Sequence, residues 1–180
     1  MLNITIPATE MWDENKQEFI NRNAQTLQLE HSLVSLRKWE SKWRKPFLSS
    51  KDKTDEEILD YIKCMTITQN VDPDIYNRLT SENVKQINDY IEAPMTATVF
   101  SEDGRGKRNR EIITAELVYY WMIASNIPFE CQKWHLNSLL TLIRVCSIKN
   151  EPPKKRSTRD IMSRNAALNA ARRKQLNSRG

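Results

Sequence analysis

Only three glycines occur in 180 residues, and two of them, Gly104 and Gly106, fall in a single polar stretch. Glycine takes up positive φ without steric cost, so tight hairpins, bulges and phosphate-cradling loops lean on it. A chain this poor in glycine does not read as a sandwich, a barrel or a Gly-rich nucleotide fold. The expected fold class is mainly α: a helical domain with a small N-terminal β element and a basic C-terminal tail. Hydrophobic residues at 39% and charged residues at 28% give a soluble, globular balance. The length fits one core with an appendage.

Other classes fall away on similar grounds. No apolar stretch approaches the roughly 20 residues of a membrane helix. The start, Met1-Leu2-Asn3-Ile4-Thr5-Ile6, lacks the basic and long apolar regions of a signal peptide. Cys64, Cys131 and Cys146 are odd in number, far apart and without a CxxC spacing. They read as reduced thiols of a cytosolic protein.

Charge is unevenly spread. Residues 151–180 carry nine Lys or Arg against Glu151 and Asp160, a net +7, which leaves −2 for residues 1–150. The double proline Pro152-Pro153 marks the junction, since neither ring fits a helix interior. The domain reading is therefore a mostly helical body over 1–150 and a basic tail, partly helical or disordered, over 151–180.

Within the body, Leu2, Ile4 and Ile6 alternate with polar residues, as do Leu27, Leu29 and His31. Two short half-buried strands are expected within a β element over 2–31, paired, with residues 7–24 as a connector. A helical subdomain follows over 32–93. Leu33, Leu36, Trp39 or Glu40, and Trp43 recur at helical spacing until Pro46. Thr54-Asp55-Glu56-Glu57 is a capping-box sequence, and Ile58, Leu59, Ile62, Met65 and Thr66 supply an apolar face. Asp72-Pro73 opens a short helix through Leu79. Val84, Ile87 and Ile91 line another, closed by Ala93-Pro94. Residues 95–100 look extended and 101–110 form an exposed loop. The most apolar segments, 112–124 and 129–148, suggest an antiparallel core hairpin over 111–149, broken at Asn126-Ile127-Pro128. Residues 157–176 suit a last helix.

Chemistry-bearing constellations are sparse. Cys131, His135 and Cys146 are the one cluster of soft ligands, and a zinc site needs a fourth from His31 or Cys64. The surroundings are apolar, where cysteine is commonly a small buried residue. No Walker loop, GxSxG, HExxH or dinucleotide fingerprint occurs, and the acids form helix caps rather than a dyad. The expectation is a non-enzyme, with no catalytic residues, no cofactor and no metal. Trp39 and Trp43 lie among Arg37, Lys38, Lys42, Arg44 and Lys45. Such a pattern stacks on nucleic-acid bases, or else packs inward with lysines on the solvent face. Candidate partner-binding residues are Trp39, Trp43, Trp121, Trp134, and, in the tail, Lys154, Lys155, Arg156, Arg172, Arg173 and Lys174. Met95, Met122 and Met162 add adaptable contacts, and Leu139, Leu140 and Ile143 are expected in the hairpin core.

The run from Glu111 to Ile123, with Asn126-Ile127-Pro128-Phe129-Glu130-Cys131 and Trp134-His135-Leu136-Asn137, carries a resemblance. So do Leu139–Cys146, Leu29–Leu36 and Lys38-Trp39-Glu40-Ser41-Lys42-Trp43. Together they resemble small tail-module proteins of long-tailed bacteriophages, in particular tail assembly chaperones. The resemblance implies a helical, non-enzymatic protein of the infected bacterial cytoplasm. It implies binding to the helical tape-measure protein, recruitment of tail-tube protein, and self-association, often with a frameshift-extended form. It transfers no site residue, and the basic tail departs from its pattern. Two alternatives stand beside it: a structural tail or connector protein of the virion, and a nucleic-acid-binding accessory protein using the basic tail.

Overall fold

The structure, a computed structural model, describes residues 1–13, 17–50, 52–100, 111–151 and 158–176. The chain divides into two units, Met1–Cys146 and Ser147–Gly180. The described residues are mainly helical, with a small β element at the N-terminal end.

Strand β1 (Leu2–Ile6) pairs antiparallel with β4 (Gln25–Leu29), Ile4 opposite Leu27. Ile4, Ile6, Leu27 and Leu29 point inward and are fully buried, as a two-residue period requires. The expected pairing is present, but residues 7–24 are more than a connector. β2 (Thr9–Asp13) and β3 (Glu18–Arg22) form a second antiparallel ribbon, with Trp12 opposite Phe19. His31 falls beyond the strand and is buried beside the first helix.

Three capped helices build the next layer. α1 (Leu33–Trp43) opens on Ser32, whose hydroxyl accepts the Ser35 N–H while Ser35 returns the bond. α2 (Asp55–Met65) opens on the predicted box, Thr54 with Glu57. α3 (Ser81–Glu92) opens on Thr80 with Asn83 and stops before Pro94. Each such cap contributes on the order of 1 kcal/mol. Between α2 and α3, Asp72 caps a 3-10 helix over Pro73–Arg78. With glycine scarce, the chain turns through left-handed non-glycine residues, among them Arg44 ending α1 (φ 54°) and Asn126 beyond the helix over Ala115–Ala124 (φ 53°).

Inner faces carry more polar residues than apolar spacing predicts. In α2, Tyr61, Ile62 and Met65 are buried together with Glu57 and Asp60, whereas Ile58 is 39% exposed. Trp39 lies wholly inside, its indole N–H donating to the Glu57 carbonyl at 2.8 Å. Phe47 and Tyr61 stack behind it with ring centroids 3.8 Å apart.

α4 (Ala115–Ala124) and α5 (Leu136–Asn150) occupy the two apolar segments, separated by a 3-10 helix over Phe129–Lys133. They are not each other's principal partners, as a core hairpin would demand; α4 packs on α1. A buried carboxylate makes that connection. Glu40 on α1 accepts the Phe47 N–H at 2.8 Å and the Ala115 N–H at 2.7 Å, so it satisfies the first turn of α4. Leu139 and Ile143 are buried as expected, and Leu140 is half-buried. In the second unit, α6 runs from Thr158 to Leu176. Residues 101–110 and the tail residues Lys154, Lys155 and Arg156 lie outside the described residues.

Candidate protein-binding surface

α4 carries one charged residue, Glu116, among ten, and the rest are apolar or aromatic. A helix apolar on every side normally sits wholly inside a core. Only Ala115, Val118 and Met122 are buried here, against α1. Tyr120 stands 63% exposed and Ile123, one turn on, 59%. The 3-10 helix adds another exposed apolar side chain beside α4: Phe129 is 54% exposed and its ring lies 6.4 Å from Tyr119.

A cleft of about 720 Å³ lies along α5. Trp134, Ser138, Leu142 and Val145 form one wall and Met95, Thr96 and Thr98 the other. Asn137 fixes the second wall by donating to the carbonyls of Ile91 and Ala93, at 3.0 and 2.8 Å. The Ser138 hydroxyl donates to the Met95 carbonyl at 2.6 Å. Met95 is held at φ 48°, a left-handed conformation that costs a non-glycine residue about 1–2 kcal/mol. A second cleft of about 480 Å³ also reaches Glu30 and Lys133, and Cys64, Val34 and Ile67 line it.

Behind the first cleft lies a buried polar chain. The Tyr90 hydroxyl donates to Glu30 at 2.6 Å. The His135 Nε2–H donates to the Tyr90 carbonyl at 3.0 Å, and its Nδ1 accepts the Asn137 N–H at 3.3 Å, which assigns a neutral imidazole. His31 faces it with ring centroids 5.1 Å apart and shares a 2.6 Å hydrogen bond with Tyr61. Burial, and secondarily His135, pushes His31 down to about 4. Burial also lowers His135. Both rings are occupied by structural partners.

The sequence-based candidates separate on this frame. Trp39 is core, which removes it from any contact surface and from base stacking. Trp43 is half-buried and donates to Asp60 at 2.8 Å. The nearby cations are also engaged: Lys42 pairs with Asp60, and Lys45 reaches Glu57 at 2.5 Å and holds that carboxyl below its usual range. The basic-aromatic pattern of α1 is thus a helix–helix seam. Trp121 is half-buried, and Trp134, 49% exposed, is the most open of the four. Arg172, Arg173 and Lys174 are exposed on α6. Met122 is buried, whereas Met95 and Met162 are exposed. Cys131 and His135 do not share a helical face, because the 3-10 helix ends between them. Among the described residues no group of three His, Cys, Asp or Glu could hold a metal ion. Tyr120, Ile123 and Phe129 were hidden in a segment whose uniform apolarity reads as core.

No protein-family model matches this sequence, and neither does any curated protein or solved structure. Among the described residues no helix is long and apolar enough to cross a membrane.

Proposed function

We propose that this chain is a non-enzymatic protein-binding module, and that it serves as a tail assembly chaperone of a long-tailed bacteriophage. The observation that carries the binding role is the open side of α4, where Tyr120 and Ile123 stand exposed, with Phe129 exposed beside Tyr119. Clustered exposed apolar side chains mark contact sites. An amphipathic partner helix buries such a surface through anchors at i, i+3 and i+4 spacing, with rim charges setting register. The sequence resemblance supplies the partner: the long helical tape-measure protein, held in the host cytoplasm while tail-tube protein polymerises around it.

Co-expression tests the reading. The phage's tape-measure protein should stay soluble beside the wild-type chain. It should precipitate beside a Tyr120→Asp, Ile123→Asp double variant whose melting temperature matches wild type. A client that is soluble alone, or two folded proteins that fail to co-purify, would overturn the proposal. Recovery of the chain at stoichiometric level from purified virions would replace it with the structural tail or connector reading, since a chaperone leaves the finished particle.

A further inference from the structure

Two elements present exposed side chains of opposite charge. Among the described residues, strands β2 and β3 have only each other as sheet neighbours, and a lone two-stranded ribbon is marginal in water. Its base is tied down: Arg22 pairs with Asp72 at 2.8 Å and Asp74 at 3.5 Å, and Arg78 donates to the Pro7 carbonyl at 2.6 Å. Farther out, Trp12 and Phe19 meet edge to face with centroids 4.9 Å apart, and they stand 52% and 67% exposed. The strand residues include the acids Glu10, Asp13 and Glu18, while their one cation, Arg22, is taken up by Asp72 and Asp74.

α6 is the reverse case. It carries Arg159, Arg164, Arg172, Arg173 and Lys174 against the single acid Asp160. Its side chains from Met162 to Leu176 are exposed throughout. A helix without a buried face draws little stability from packing and gains it on meeting a partner. Met162, Leu168 and Leu176 offer apolar contacts between the cations.

We propose that the β2–β3 ribbon of one copy docks on α6 of a second copy. Glu10 shares a ribbon face with the paired Trp12 and Phe19; there it meets the Arg172, Arg173 and Lys174 cluster while the aromatic pair covers guanidinium and apolar side chains. Guanidinium stacking on an indole face adds to the charge pairing. Ribbon and helix are different surfaces, so the contact is heterologous and propagates head to tail into rings or filaments. It uses neither Tyr120 nor Ile123, so it stands or falls separately from client binding.

Light scattering on the full chain, over a concentration series at low and high salt, tests the contact. Mass should rise with concentration at low salt and fall as salt screens the charges. Glu10→Arg, or Arg172→Glu with Arg173→Glu and Lys174→Glu, should each weaken association about tenfold or more. Mixing the two variants, or combining all four changes in one chain, should restore it. Trp12→Ala should weaken it at high salt as well, and circular dichroism should show every variant folded. A chain that stays monomeric under all conditions overturns the proposal. So does association that ignores both reversals, a folded mixture that fails to recover, or an assembly that nuclease treatment dissolves.

Discussion

α1 and α4 pack on each other and have almost the same length, 11 and 10 residues, yet they distribute side chains in different ways. α1 separates its faces. Leu33, Leu36, Trp39 and Glu40 go inward, and Arg37, Lys38, Ser41 and Lys42 go outward. α4 buries three side chains and leaves Tyr120 and Ile123 in the open. Packing within the chain accounts for every residue of α1. It accounts for only one side of α4, because polar residues at 120 and 123 would serve the fold at least as well. α6 departs from amphipathic pattern in the opposite direction, with charges towards both ends and side chains exposed from Met162 to Leu176.

The strongest way to break this contrast is to truncate one aromatic on each helix. Trp39→Ala should cost about 3–5 kcal/mol in urea denaturation, from lost burial, a cavity and an orphaned Glu57 carbonyl. Tyr120→Ala should stay within about 0.5 kcal/mol. Similar costs at the two positions would mean that α4 is covered in solution.

A smaller effect comes from His31, just ahead of α1. Its folded imidazole titrates at about 4, against 6.5 for an unperturbed ring. The unfolded chain therefore takes up a proton that the folded chain refuses as pH falls between those values. The stability contributed above pH 6.5 should drop by about 3 kcal/mol by pH 4. His135 shifts in the same direction and steepens the loss. Denaturation midpoints measured from pH 7 to pH 4 should decline, and His31→Gln should flatten the decline; an unchanged slope in that variant would place the acid sensitivity elsewhere.

The smallest effect extends the contrast to α6. Removing residues 152–180 should leave the melting temperature of the remaining chain within about 2–4 °C of the full chain. A larger drop would show that α6 lends stability to the body.

Much of the helical subdomain is legible because its signals are local. Thr54 and Glu57 sit three residues apart and form the reciprocal cap that spacing predicts. Alternation in Leu2–Ile6 and Leu27–Leu29 places both strands. What stays hidden depends on distant partners. Glu57 and Asp60 face inward because Lys45, Lys42 and Trp43 satisfy them, and apolar periodicity assigns that side to Ile58 instead. The β2–β3 ribbon lacks a glycine turn, so no dipeptide announces it. The exposed side of α4 is hidden for a simpler reason: an apolar residue left in the open reads the same in sequence as one packed in the core.

The Glu40 bridge also sets a timetable. Its acceptor oxygen and the Ala115 N–H are 75 residues apart in sequence. At about 5–20 residues per second, roughly 4–15 s of synthesis separate the emergence of the two groups. During that interval α1 can fold against α2, while the Glu40 carboxylate keeps its water. α4 then arrives with Glu116 as its one charge among ten residues, and with one hydrogen-bonding anchor waiting for its first turn. The order of translation thus exposes the stickiest helix only after its docking point exists, which shortens the time in which nascent chains could cluster through it.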